Sequence, residues 1–314
     1  MKPQTMLHIK RILPMRSAEL LRPLYHTLIN LSRIPAKRKT KHIFTEATDS
    51  PSYLDIDELE GLQLEYPCQP VYVDDTHANK IRGIERARQI LRLPGAREAD
   101  SFLELGCWDG MVSYSLCRKG KKATAIDNRA EGFDERASLE GVNLIEMDAG
   151  NMQFNDESFD YVFSFNSFEH FSSPEDVFRE AIRVVKTGGY IYLEFAPLYY
   201  APFGEHAWCS VSVPYCQFLW TRDLLNEYCE QKGLELIDFS HVNGWPLERY
   251  ESLWGKYSNN LQRIRYKRSF DLSHLSMIRR FPSCFKSKSD SFENFIVSGI
   301  SVLFKKELPD RKTD

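Results

Sequence analysis

Glu104, Asp127, Asp148 and Asn166 each stand in or just after a run of apolar residues, and the first leads into the turn Gly106-Cys107-Trp108-Asp109-Gly110. A carboxylate about twenty residues beyond a glycine-bearing first turn is what an open α/β sheet uses to grip ribose hydroxyls. Asp127 has that spacing. The glycines allow φ > 0 and let a ligand approach the backbone closely. A dinucleotide fingerprint would need glycine where Trp108 and Met111 stand, and no Walker lysine follows. A nicotinamide or nucleotide-sugar enzyme is therefore disfavoured.

These side chains reach one rim only if the runs that carry them are parallel strands with aligned carboxyl ends. Strands are expected at 102–105, at 123–126 closed by Asp127, at 143–147 ending in Asp148, at 159–165 and at 190–195. Val177, Phe178, Ala181, Ile182 and Val185 recur at helical spacing within 175–186, and residues 79–93 read likewise. Thr221 has the character of an N-cap for a helix over 223–232 that Gly233 stops. The sixth strand is expected at 234–239 and the last at 294–304, with a polar, basic and aromatic insertion between, at about 244–290. The fold class that follows is α/β, a doubly wound, seven-stranded, mostly parallel sheet. It carries an N-terminal basic arm and linker (1–78) ahead of the domain at 79–314.

The segment 102–110 resembles motif I of the class I S-adenosylmethionine (SAM)-dependent methyltransferases, an acid-x-Gly-x-Gly-x-Gly pattern. Glu104, Gly106 and Gly110 fill three of its places and Trp108 replaces the middle glycine. The stretch from Phe159 to His170 is similar to the family's "FDxVxSxxxxEH" strand and turn. "RVVKTGGYIYLEFAP" is close to its "RVLKPGGxLxxxxP" run. The segments arrive in the family's order over about residues 100–240, a domain like methyltransferase type 11. The resemblance implies a Rossmann-like sheet with an antiparallel last strand, and SAM as cofactor. Asp127 would hold the ribose diol, with Asn128 beside it. Asp148 would face the adenine amino group and Ala149 would offer its N–H to the ring. Glu104, Gly106 and Gly110 would shape the space for the methionine part. Asn166 would stand on the same rim. Trp108 is read as a pocket wall, and Cys107 as a small apolar filler of the loop that nothing activates as a thiolate.

Methyl transfer from a sulfonium needs a nucleophile about 3 Å away and in line, and a route for its proton. His170, which closes the turn after the fourth strand, is the first candidate base; a loop-capping role is its alternative. His206 lies in an aromatic loop, 199–208, similar to the "P-x-Y-x-x-x-G-x-H" loop of some bacterial methyltransferases. That loop either caps the acceptor pocket or packs on the sheet edge. His206 and Cys209 offer no four-ligand set, so no metal is expected.

The chain has 314 residues and a formal net charge of −3, which favours no polyanion, and no nucleic-acid partner is expected. No apolar run approaches the ~18–20 residues of a membrane span. Seven cysteines without close pairing fit reduced thiols, and a cytoplasmic protein is expected. Charge is uneven, however: residues 1–42 carry ten Lys and Arg against Glu19 alone, interleaved with apolar residues. Packing of one face on the core is the favoured reading of this arm. Peripheral contact with an anionic membrane or docking on a partner is the other. The expected function is methyl transfer to a small-molecule, glycan or lipid-linked acceptor. The alternative, kept open by Trp108, is a nonenzymatic protein of the same fold acting through its arm and insertion.

Overall fold

The computed structural model of the protein describes residues 32–68 and 75–307. They fall into two compact units, one of 32–52 with Leu272–Phe292, the other of the remaining described residues. In the smaller unit the helix Ile34–Glu46 buries Thr40 and Phe44. Phe44 packs against Phe292, their ring centroids 5.7 Å apart, and Arg279 donates to the Thr40 hydroxyl. This part of the basic arm thus buries one face, while residues 1–31 lie outside the described residues.

The larger unit is built on a seven-stranded sheet: β1 (Ser101–Leu105), β2 (Lys122–Asp127), β3 (Asn143–Glu146), β4 (Phe159–Phe165), β5 (Val185–Phe195), β6 (Leu261–Phe270) and β7 (Val297–Lys306). The spatial order is β3-β2-β1-β4-β5-β7-β6. Neighbours are parallel except β7, which runs antiparallel to both β5 and β6. The central strands are apolar nearly throughout because helices cover both faces. β4 is buried at six of its seven positions, all but Asp160. Connections leave β1 toward β3 and return to β4, so the crevice of the sheet opens at the carboxyl ends of β1 and β4.

One face is covered by Thr76–Ile90 and Met111–Cys117, whose Ala87, Ile90, Val112 and Leu116 pack with Phe102, Tyr161 and Phe163. On the other face Pro174–Val184 contributes Val177, Phe178 and Ala181, and Leu247–Lys256 contributes Tyr250 and Trp254. The first of these helices ends at Val184, earlier than its apolar periodicity predicts, because Val185 pairs with Phe159 and opens β5.

The sixth strand corrects the sequence reading. Residues 234–239 form no strand, and Leu236 is exposed. The position is taken by Leu261–Phe270, inside the stretch read as an insertion. Its pattern is almost wholly exposed, as expected of an edge strand that carries Arg263, Arg265, Lys267 and Arg268. Charge on an edge discourages pairing with another chain, and it also hides the strand from a search for apolar runs.

The helix Arg222–Lys232 begins and ends as its sequence indicates. The Thr221 hydroxyl accepts from Leu224 N at 3.3 Å, and Gly233 closes the helix in the left-handed region at φ 65°. Thr221→Ala should cost about 1 kcal/mol in urea unfolding, the usual loss of an N-cap; no change would mean that the cap is idle.

Candidate functional site

The turn after β1 is made by backbone that side chains would obstruct. Gly106 has φ +66°, and a Cβ there would fall 2.5 Å from Ser167 Cβ. Ser167 in turn donates its hydroxyl to the Gly106 carbonyl at 2.7 Å, joining the turn after β1 to that after β4. Trp108, standing where a glycine is usual, has φ 52°. It adopts the left-handed conformation such a glycine would, and the path of the turn is kept. The indole lies over Gly132, and the Arg129 guanidinium sits 5.5 Å from its ring.

A cavity of about 790 Å³ opens beside this turn at the carboxyl ends of the strands. Gly106, Trp108, Asp127 and Asn128 line it, as do Asp148, Ala149, Asn166 and His170. The rim expected from the sequence is therefore a single concave surface, and the indole walls it without filling it. Asp127 Oδ2 accepts Trp108 N at 2.9 Å, so this carboxylate holds the turn while facing the cavity. Asp148 Oδ1 accepts Gly150 N at 2.8 Å. Asn166, with φ 49°, donates its N–H to the Glu194 carbonyl at 2.8 Å.

Four of the singled-out residues do not line this cavity. Glu104 is buried under Met111–Cys117, where its Oε2 accepts Ser113 N at 3.1 Å and the Ser113 hydroxyl at 2.6 Å. Burial pushes its pKa up to about 7 against those two bonds. Cys107 is buried too, and burial holds its thiol far above the ordinary range, in keeping with an inert filler. Gly110 caps the helix that follows at φ +71°, where a Cβ would meet Leu144. His206 comes from the loop after β5. That loop packs inward through Leu198, Ala201, Val211 and Tyr215 and gives the cavity no wall.

His206 nevertheless reaches the site's edge, because its ring centroid is 4.9 Å from that of His170. A third ring, His241, lies 4.4 Å from His170 and 5.5 Å from His206. The His241 carbonyl is 2.7 Å from His170 Nδ1, which therefore carries the proton and leaves Nε2 its lone pair. Burial lowers the His170 pKa. Burial, then the charges of His170 and His241, push His206 down to about 3. The adjoining Glu169 is 1% exposed, and burial pushes its pKa up to about 8.

Sequence reasoning missed several cavity residues: Asp238, Ser240 and His241 on one side, Ser173, Asp176 and Arg179 on the other. The first three follow Arg222–Lys232, in and just after the stretch taken for a strand, so no turn was sought there. The polar start of Pro174–Val184 carried the signal for Ser173 and Asp176, and Arg179 lies one turn further along the same side of that helix.

Residues 103–193 match the family described as "Methyltransferase domain". The ubiquinone biosynthesis O-methyltransferase of Serratia proteamaculans is 29% identical over 34% of this chain and 47% of its own length. The fatty-acid O-methyltransferase of Mycolicibacterium smegmatis is 32% identical over 35% of this chain and 42% of its own. The chain thus spans under half the length of these curated relatives. The crystal structure of the PH0226 protein from Pyrococcus horikoshii OT3 aligns at 16% identity over 74% of this chain and 92% of that one, with a TM-score of 0.45. That likeness is too distant to add to the sheet order. Motif, strand order and family match coincide on one stretch, and residues 103–193 are a methyltransferase domain of the class I, SAM-dependent family.

Proposed function

We propose that this protein transfers the methyl group of SAM to an oxygen of a small-molecule acceptor. The observation that carries the reading is the open cavity at the switch point of the sheet, lined by Asp127 and Asp148 and floored by backbone at Gly106. These residues fit an adenosyl group. The Asp127 carboxylate can accept from two ribose hydroxyls, Asp148 can accept from an exocyclic amine, and the absent Cβ at Gly106 leaves room for the chain bearing the sulfur.

When bound, SAM supplies an activated methyl on a good leaving group, so the protein's task is geometric. Asp127 fixes the nucleoside through a carboxylate already held by Trp108 N–H. Trp108, Met147 and Phe171 give the cavity its apolar walls. His170 presents Nε2 with its lone pair free, and it can take the proton that leaves an acceptor hydroxyl. An oxygen acceptor is favoured by the two O-methyltransferase relatives; quinol and saccharide hydroxyls meet that description, and so does a fatty-acid carboxylate, which needs no base. A nonenzymatic role loses its motive once Trp108 keeps the turn's path.

Calorimetry with SAM and S-adenosylhomocysteine tests the reading on the full chain. Binding of both, followed by S-adenosylhomocysteine release with a phenolic, fatty-acid or saccharide acceptor, is expected. Binding of neither would remove it.

A further inference from the structure

We propose that His170, His206 and His241 form a site for a zinc-type divalent cation at the edge of the cavity, with one coordination position open toward it. The three residues come from separate segments: the turn after β4, the loop after β5, and the loop after Arg222–Lys232. Each offers a ring nitrogen, and the three atoms lie within 4.8 Å of one another. Imidazole nitrogens around a tetrahedral zinc stand about 3.3 Å apart, so side-chain adjustments of ~1 Å would close the set.

The polar groups around the cluster point the same way. His206 Nε2 is buried without a hydrogen-bond partner, which a cluster held only by ring-to-ring hydrogen bonds would not leave. His206 also sits in the left-handed region at φ 60°, uncommon for a residue other than glycine. His170 donates Nδ1–H to the His241 carbonyl, the outer contact that commonly orients a metal-bound imidazole. Glu169 Oε1 lies 4.0 Å from His170 Nε2. Both its carboxylate oxygens are buried and unpaired at normal geometry.

Three imidazoles leave zinc a fourth position, the arrangement of catalytic rather than closed sites. His170 and His241 line the cavity, so that position faces the acceptor. Its role there rests on the methyl-transfer reading above; the ion site itself does not. An acceptor hydroxyl bound to the ion would lose its proton to water. Its oxygen would then form the O–CH3 bond as the S–CH3 bond breaks and the electron pair leaves on S-adenosylhomocysteine. This replaces direct proton uptake by His170, whose Nε2 would be a ligand.

The test uses the full chain, purified without a histidine tag, stripped with a chelator and titrated with Co²⁺. Visible d–d absorption of a tetrahedral site is the readout, with Zn²⁺ as competitor. One Co²⁺ per chain is expected, displaced by Zn²⁺ and weakened at least about tenfold in His241→Ala and in His206→Gln. His241 is exposed, so its variant decides the matter should the half-buried His206 substitution fail to fold. No tetrahedral Co²⁺ spectrum, or one unchanged in His241→Ala, overturns the proposal. SAM calorimetry on the stripped protein keeps the two readings apart: SAM binding without Co²⁺ binding sinks the ion site alone, and Co²⁺ binding without SAM binding sinks the methyl-transfer reading alone.

Discussion

Asp127→Ala should weaken SAM binding at least about thirtyfold, roughly 2 kcal/mol, the usual worth of hydrogen bonds to a charged group. Two effects combine at this residue. The ribose loses the carboxylate it would donate to, and Trp108 N–H loses the acceptor that holds the turn. Asp127→Asn separates them, because its amide oxygen can still accept from Trp108 while the charge is gone. The asparagine variant should therefore fall between wild type and alanine. Calorimetry with S-adenosylhomocysteine is the cleanest measure, since it needs no acceptor. Equal affinity in wild type and Asp127→Ala would mean that the nucleoside lies elsewhere, and the proposed assignment of Asp148 would fall with it.

The sequence revealed the centre of this site and hid its margins for physical reasons. β2 and β4 are largely buried and each ends in or beside a polar residue on the rim, so composition and spacing locate Asp127 and Asn166, while Asp148 follows the more exposed β3. The seventh strand, buried and β-branched, was legible in the same way, within a few residues of Val297–Lys306. β6 was not, because an edge strand needs no apolar face and this one has charged residues at most of its outward positions. The apolar residues at 234–239 suggested a strand, but the place beside β7 is already filled: β7 bonds β5 on one side and β6 on the other.

The same displacement concealed His241. With 234–239 taken as a strand, the loop that brings Asp238, Ser240 and His241 to the cavity had no place in the reading. His206 was singled out for its loop, and its meeting with His170 depends on the path of that loop across the sheet edge, which no local pattern encodes. Trp108 is the reverse case. Its side chain departs from the expected glycine, yet its backbone supplies what the glycine would, and only the φ angle reveals this.

Glu104 behaves differently from the other carboxylates, and its substitution should have the largest effect on stability. It is fully enclosed beneath Met111–Cys117, and burial raises its pKa from 4.5 to about 7. Below pH 4.5 the group is protonated in folded and unfolded chains alike and exacts no penalty. As pH rises through 7 the folded chain must hold a buried carboxylate that the unfolded chain would solvate, so this group's contribution to stability is lost over that window. Each pKa unit is worth about 1.4 kcal/mol, so the loss is on the order of 3 kcal/mol. Glu104→Gln keeps an oxygen to accept from Ser113 N and from its hydroxyl, and removes the charge. Its stability should match the wild type near pH 4.5 and exceed it progressively up to about pH 8. Glu169 and Glu205, also raised by burial, impose the same trend on both proteins and cancel in the difference. Urea unfolding of both proteins across that range measures it. A difference that stays flat with pH would show that Arg86, among the charges favouring the ionised form, already neutralises the carboxylate in the folded chain.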